Sequence, residues 1–283
     1  MRIALTVMFC TATAAFAGHG ILLVSDQVDG VTNPEEFDRY YEDAIREAGY
    51  TYAKWDHAAR GDVPFEELSK YSLVIWFTST SGASPASDPL RGNLTLSLTE
   101  QAALERFLAE PEGTTAVVLS GMYIAWNCVA DATTEQQLYK PLFSDYLKLA
   151  YPADNFDRWF KVERNWKYRG ENGDPLFQGK SYGIAWRHNA NYPDQLEPAA
   201  GGAPSAWWLD PDNVQHHRAV IRANGAKDNG GDWRIALFAC PFENIYYAAD
   251  RTTIMKNIIA WSGAVAAKAT APESFGRIKA LFP

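Results

Sequence analysis

GILLVSD, residues 20–26, is a continuous apolar run that ends in two polar residues. Such a run is typical of a strand buried on both faces, as in parallel sheets covered by helices. A helix is predicted to follow, because Asn33 suits the N-cap, Pro34 suits the first helical position and Gly49 suits the end. These signals indicate a central parallel strand followed by a crossover helix.

The alternation of strand and helix continues through the first half of the chain. Apolar runs predict strands at residues 50–55, 73–77 and 115–119, and a short helical turn at residues 64–71. Ser97 and Glu100 form a capping box for a helix that extends through Ala109. The pattern predicts an α/β fold with a doubly wound, mostly parallel sheet.

The second half of the chain has a weaker pattern. Between about residues 151 and 231 the periodicity is lost, which predicts an irregular, aromatic-rich insertion whose strands pack on the sheet edge. Residues 228–232 within it predict a hairpin turn. A buried strand at residues 234–240 and a helix at residues 252–261 complete the fold, and residues 264–283 are a linker and tail.

Composition and charge limit the classes of partner. The chain has 283 residues, and its 26 basic and 34 acidic side chains give a net charge of -8. Nucleic acids and anionic lipid surfaces require a basic patch or stripe. The acidic balance therefore argues against both, and we expect no nucleic-acid partner.

The N-terminus predicts export. Residues 1–17 combine one basic residue, a short apolar stretch and the ending Ala15-Phe16-Ala17, as in a secretory signal peptide. A buried first strand is the alternative for this segment. We expect a secreted product that starts near Gly18 and forms one domain over residues 18–263. We expect no membrane span, because no later apolar run approaches about 18 residues.

Ligands of open α/β sheets bind beyond the carboxyl ends of the strands. The residues at the predicted strand ends are therefore the expected ligand contacts in this chain. They are Asp26, Thr78, Ser120, Gly121, Met122 and Glu243.

The sequence around two of these strand ends resembles that of a known family. The segments 117–122 and 237–243, together with the order of elements, resemble the class I glutamine amidotransferase-like superfamily. The resemblance is greater to a branch found in secreted bacterial proteins, spans about residues 20–263 and implies a flavodoxin-like fold. It places the family's nucleophile at Met122 and its histidine at Cys240, and it matches Glu243 to the triad carboxylate only with a one-residue slip. A thioether has no proton to lose, so the resemblance implies that the Cys-His-Glu triad is missing and that amidotransferase activity is absent.

Ser120 and Cys240 remain as candidate nucleophiles. Ser120 lacks a Gly-x-Ser-x-Gly frame, and a hydrogen bond at the turn is the alternative role. For Cys240 the alternatives are a reactive thiolate, a packed and inert thiol, or a disulfide with Cys128 in an oxidising compartment.

Metal sites also have structural alternatives. Asp210 and Asp212 offer oxygen ligands for calcium, but they equally suit a solvated turn before a strand, which we expect. Adjacent residues of a strand point to opposite faces, so His216 and His217 do not share one ion in a regular strand. The remaining histidine candidates for metal binding are His57 and His188.

Ten tryptophans raise the question of sugar binding, because an aromatic face stacks on the apolar face of a pyranose. Trp207 and Trp208 in the insertion are the pair that suits this role best. Buried aromatic packing is the alternative, and it is the commoner use of such residues.

Three functions are consistent with these residues. We expect a non-catalytic binding or assembly module at the cell surface, without a cofactor, whose partner is a small molecule, a glycan or a protein. The first alternative is a hydrolase that pairs Asp26 with His57 or Glu243 in the strand-end crevice. The second is a carbohydrate-binding protein that uses the tryptophans of the insertion.

Overall fold

The structure is a computed structural model, which describes residues 20–27, 34–79, 95–122, 124–125, 128, 141–150, 166–185 and 193–263. Four features of the sequence analysis lie outside these residues: the expected signal peptide, the C-terminal tail, the N-cap Asn33 and His188. Within the described part, no helix is long and apolar enough to cross a bilayer.

The described residues form nine strands of one sheet. In chain order the strands are β1 Ile21–Ser25, β2 Tyr52–Asp56, β3 Leu73–Ser79, β4 Thr115–Gly121, β5 Lys167–Gly170, β6 Ser181–Gly183, β7 Gly202–Leu209, β8 Gln215–Ala226 and β9 Asp232–Phe238. The strands predicted in the first half of the chain are confirmed, with ends that differ by about two residues.

The described part contains five α-helices. They are α1 Pro34–Glu47, α2 His57–Arg60, α3 Phe65–Leu68, α4 Leu98–Ala109 and α5 Ala248–Ser262. A π-helical turn lies at Leu142–Tyr146 and a 3-10 turn at Phe242–Asn244. The predicted capping box of α4 is formed, because Ser97 and Glu100 each bond the other's backbone N–H.

The strand order is β2-β1-β3-β4-β9-β8-β7-β5-β6. The first five strands are parallel, and β1 lies between β2 and β3. The order 2-1-3-4 is that of a flavodoxin-like sheet, in which the direction of chain progression reverses between β1 and β3. The carboxyl ends of β1 and β3 therefore border the crevice where such sheets bind ligands, and we call it the switch-point crevice.

The predicted insertion differs from expectation. Instead of irregular strands, β8, β7, β5 and β6 continue the same sheet in antiparallel pairing. Three register shifts interrupt the β7–β8 pairing, and each shift breaks the alternation on which strand prediction depends. The hairpin turn between β8 and β9 is confirmed, since the Lys227 amide donates to Gly231 O at 3.1 Å.

Helices cover both faces of the sheet. On the α1 face, α1 and α5 pack over alternate strand residues such as Ile75 and Phe77. On the α4 face, α4 packs over the intervening residues, such as Val74 and Trp76. The predicted last helix is confirmed, and four of its apolar residues are at most 2% exposed: Ile254, Met255, Ile258 and Ile259.

Of the alternatives for Cys240, the disulfide with Cys128 is not formed. Both cysteines are free and buried. Cys128 belongs to the core of the α4 face and Cys240 to the core of the α1 face. The two thiols lie in cores on opposite faces of the sheet, and Cys240 is the packed thiol of the second alternative.

Candidate functional site

Asp26 is the first polar group of the switch-point crevice. It follows β1 directly, its side chain is fully buried, and its backbone N–H donates to Phe77 O of β3 at 2.9 Å. Its Oδ2 atom accepts a hydrogen bond from Trp76 Nε1 at 2.9 Å. The β1–β3 pairing therefore fixes this carboxylate on the α4 face.

His57 lies beside Asp26 because it follows β2, which pairs with β1. Its Nδ1 atom lies 3.6 Å from Asp26 Oδ1. Its Nε2 atom lies 3.3 Å from Asp62 Oδ1 and 3.3 Å from Glu100 Oε1. One imidazole thus contacts three carboxylates, and we call these four residues the histidine cluster.

Ser97 orients two members of the histidine cluster. Its Oγ atom donates to Asp62 Oδ2 at 2.9 Å, and its backbone N–H donates to Glu100 Oε2 at 2.9 Å. The same Oγ atom accepts the Glu100 N–H at 3.1 Å. The capping box therefore stabilises α4 and also directs two carboxylate oxygens toward His57.

The sequence predicted part of this cluster. Asp26 and His57 were expected as a pair at the strand ends, and the structure brings them together. Asp62 and Glu100 were not expected as site residues. Glu100 was identified only as a helix cap, and no pattern around Asp62 marks it, because it lies in the loop between α2 and α3.

Thr78 adds a buried hydroxyl at the end of β3. The residue is fully buried, and Thr78 Oγ1 has no hydrogen-bond partner in the described part of the chain. A Cβ atom at Gly121 would overlap this oxygen. The expected contact residues Thr78 and Gly121 are therefore adjacent, and glycine permits their close approach.

Ser120 and Glu243 belong to a different cluster, on the α1 face. The Ser120 Oγ atom accepts the Phe242 N–H at 2.9 Å and lies 2.8 Å from the Tyr41 hydroxyl. Tyr41 in turn donates to Glu243 Oε2 at 2.7 Å. Burial raises the pKa of Tyr41 well above its ordinary value of 10.0, with a further contribution from the charge of Glu243.

Neutral Tyr41 cannot accept the Ser120 proton as a general base. In the described part, Ser120 forms hydrogen bonds with Tyr41 and Phe242, and neither partner is a histidine. This arrangement corresponds to the turn-stabilising role and not to an activated nucleophile.

Met122 and Cys240 occupy the positions matched to the family's nucleophile and histidine. Met122 is 1% exposed and Cys240 is fully buried. Burial raises the pKa of Cys240 to about 12, so its sulfur is a protonated thiol at neutral pH. The alternative of a reactive Cys240 thiolate is therefore not supported.

No family model and no curated protein matches the chain. The fold is similar to that of a cytoplasmic protein from Salmonella typhimurium, with a TM-score of 0.50 and 10% identity over 86% of this chain and 98% of the other. The mmIFT52 N-terminal domain also gives a TM-score of 0.50, at 10% identity over 86% and 97% of the two chains. A ThuA-like protein from Bacteroides uniformis gives 0.49, at 12% identity over 87% and 91%. The first two likenesses show a shared α/β fold.

Asp210 and Asp212 lie at the turn between β7 and β8. The Asp210 carboxylate accepts the Val214 N–H at 2.7 Å and contacts His216 Nε2 at 2.9 Å. The hydrogen bond from His216 lowers the pKa of Asp210 below its ordinary value of 3.8. Within the described residues, neither aspartate joins a group of three metal-ligating side chains. The structure therefore favours the turn over the calcium site.

Trp207 and Trp208 do not form an open aromatic platform. Trp208 is fully buried in the core of the α1 face, with its ring centroid 5.1 Å from that of Tyr168. Trp207 is half-buried, donates from Nε1 to Glu171, and is covered by Arg218 at 4.2 Å from its ring centroid. Both rings are used in packing.

Proposed function

We propose that this chain is a secreted, non-catalytic binding domain that binds its ligand in the switch-point crevice. The single observation that carries the proposal is the concentration of buried polar groups at the ends of β1, β2 and β3. We further propose that the fold is a doubly wound, amidotransferase-like one extended by the aromatic-rich strands β5–β8. Export rests on the signal-peptide pattern of residues 1–17.

The chemistry at the end of β4 supports a non-catalytic role. An acyl-transfer enzyme of the amidotransferase kind needs a nucleophile whose proton a nearby base accepts. Met122 has no such proton, and Cys240 is a buried thiol with a pKa raised to about 12 by burial. Ser120 is hydrogen-bonded to a phenol that stays neutral.

The switch-point crevice supports a small polar ligand. Asp26 and Glu100 are fully buried carboxylates, and His57 and Asp62 are more exposed. Carboxylate oxygens accept hydrogen bonds, and the ones to charged groups are strong, so these residues favour a ligand that presents hydrogen-bond donors or positive charge. Thr78 adds a hydroxyl that is available as donor or acceptor.

Two experiments test the proposal. Ammonia release from glutamine is expected to be absent for the wild type and for the Met122→Cys and Cys240→His variants, because each variant restores only one half of the pair. Wild-type turnover that is abolished by Ser120→Ala or Cys240→Ala would overturn the non-catalytic assignment.

The second experiment locates the ligand. Ligand-observed NMR of the full chain with a panel of monosaccharides, amino sugars and polyamines is expected to identify binders. Asp26→Asn should remove that binding, and Glu243→Gln on the other face should retain it. Binding that survives Asp26→Asn and is lost in Glu243→Gln would place the site at the end of β4.

One observation favours a hydrolase as a second candidate. The 3.6 Å separation of Asp26 Oδ1 and His57 Nδ1 resembles the pairing in which a carboxylate orients a histidine base. Such an enzyme would lose ester or glycoside hydrolysis in His57→Gln and keep it in Ser120→Ala. The carbohydrate-binding alternative has less support, because Trp208 is buried and Trp207 is covered.

A further inference from the structure

Three potential metal ligands converge in the histidine cluster. They are His57 Nε2, Asp62 Oδ1 and Glu100 Oε1, and all three atoms lie within 4.8 Å of one another. We propose that they bind a divalent cation of the zinc class. This inference rests on the proposed function, because it names a ligand for the same crevice.

The distances within the cluster match those between ligands of one metal ion, and the His57–Asp62 contact at 3.3 Å is also a long hydrogen bond. A charge-assisted N–H···O hydrogen bond is about 2.7–2.9 Å long. A tetrahedral zinc ion with bonds of about 2.0–2.1 Å separates its ligand atoms by about 3.3–3.4 Å. His57 Nε2 lies 3.3 Å from both carboxylate oxygens, which matches two edges of such a tetrahedron.

A second histidine–aspartate pair in the same chain shows the contrast. His216 Nε2 lies 2.9 Å from Asp210 Oδ2, an ordinary hydrogen-bond distance to one carboxylate. The single Nε2 atom of His57 instead faces two carboxylates at equal, longer distances. One N–H group shared between two acceptors makes a weak bifurcated bond, whereas an ion between the three atoms contacts all of them.

The residues behind the three ligands are arranged as in metal sites. Ligating carboxylates are usually hydrogen-bonded through their second oxygen, and a ligating histidine is usually held through its other ring nitrogen. Here Ser97 bonds the second oxygens of both Asp62 and Glu100. Asp26, which is held by Trp76, lies 3.6 Å from the other nitrogen of His57, which is near it but beyond hydrogen-bond distance.

The charge of the carboxyl groups in the histidine cluster gives a further reason to expect a divalent cation. Three carboxyl groups surround one imidazole, and two of them, on Asp26 and Glu100, are fully buried. Carboxylates that lie this close to one another attract a cation electrostatically. Neutral imidazole nitrogen with carboxylate oxygen is a donor set that Zn²⁺ accepts, and Mn²⁺ and Co²⁺ accept it as well.

The test measures metal binding directly on the full chain. The protein is stripped with EDTA, dialysed and titrated with ZnCl₂ by calorimetry and with CoCl₂ by visible absorption. The wild type is expected to bind one equivalent and to give the intense absorption of tetrahedral cobalt. Asp62→Asn keeps an oxygen for the Ser97 bond but removes the charge, and it should weaken zinc binding at least tenfold.

Two further variants test whether the zinc binding belongs to the histidine cluster. Ser97→Ala, which touches the ligands but is not one, should weaken zinc binding by about 10–100-fold. Asp210→Asn, at the other histidine–aspartate pair, should leave the affinity unchanged. Thermal melting of each variant reports whether it is folded.

Several outcomes would overturn the inference. They are absence of zinc binding by the wild type, affinity unchanged in folded Asp62→Asn, or loss of binding in Asp210→Asn. If zinc fails to bind while a small molecule still binds in an Asp26-dependent manner, the metal inference fails and the proposed function stands. If zinc binds and no organic ligand does, the cation site is supported and the organic ligand of the proposed function is refuted.

Discussion

A single hydroxyl group, that of Tyr41, joins α1 to two other parts of the α1 face. It contacts Ser120 at the end of β4 and donates to Glu243 in the 3-10 turn. The ring stacks on Phe77 with centroids 4.1 Å apart. This network gives Ser120 and Glu243 a structural role. Both residues lie at or near positions that the family resemblance matches to the catalytic triad.

The Tyr41→Phe variant tests that role. It retains the stacked ring but removes the donor to a buried carboxylate, so we expect the free energy of unfolding to fall by about 1–3 kcal/mol. Urea denaturation at pH 7 measures the change. Tyr40→Phe is the control, because the Tyr40 hydroxyl bonds the exposed Glu36, and its expected effect is below about 0.5 kcal/mol. Equal effects of the two variants would contradict the network.

The cysteines provide a second prediction at the residue scale. Burial raises the pKa of Cys128 and of Cys240 to about 12. The folded protein should therefore resist a thiol reagent such as DTNB at pH 7.5, because reaction requires an accessible thiolate. After unfolding in urea without reductant, both thiols should react. Failure of both to react after unfolding would indicate a disulfide.

At the scale of elements, the hairpin between β8 and β9 packs on the turn that follows α4. Lys227 Nζ donates to Pro111 O at 2.9 Å, and Asn229 Nδ2 donates to Glu110 O at 2.7 Å. Gly231 approaches Gly113 so closely that a Cβ atom would overlap its carbonyl oxygen. The hairpin thus joins the antiparallel extension to the parallel part of the sheet.

Two neighbouring glycines allow this contact to be tested. Gly230 and Gly231 have φ values of 89° and 88°, so alanine at either position carries a similar backbone strain. Nothing lies within 4 Å of a Cβ atom at Gly230. Gly231→Ala should lower the free energy of unfolding by at least about 1 kcal/mol more than Gly230→Ala, measured by urea denaturation. Equal losses would show that the approach to Gly113 is unimportant.

The strands also show which parts of the fold can be predicted from sequence patterns. The strands near β1 are apolar runs buried on both faces, so local composition predicts them. Strands β7 and β8 pair through register shifts, which obscure the alternation. Asp26 and His57 follow strands and were predictable as site residues. Asp62 joins them only because Ser97, 35 residues later in the chain, bonds its carboxylate.

At the scale of the whole molecule, the buried Cys240 thiol should contribute a loss of stability as pH rises above about 9. Burial raises the pKa of Cys240 from its ordinary value of 9.0 to about 12. Between these values the unfolded thiol has lost its proton and the folded thiol has kept it. Stability is therefore retained below pH 9 and falls by up to about 1.4 kcal/mol per pH unit for this group.

The Cys240→Ala variant isolates this contribution. The slope of unfolding free energy against pH, measured by urea denaturation from pH 8 to 10.5, should be shallower than in the wild type. Val118→Ala, another truncation in the core of the α1 face, should lower stability at every pH and keep the wild-type slope. An unchanged slope in Cys240→Ala would contradict the buried, protonated thiol.

The central claim is that the functional site lies in the switch-point crevice and not at the end of β4. Its most direct test is a nitrogen-15 TROSY titration of the full chain with ZnCl₂. We predict that amide shifts concentrate at residues 26–27, 57–63 and 97–101, around the histidine cluster. The absence of shifts would refute the zinc site, and shifts confined to residues 120–122 and 240–244 would contradict the claim.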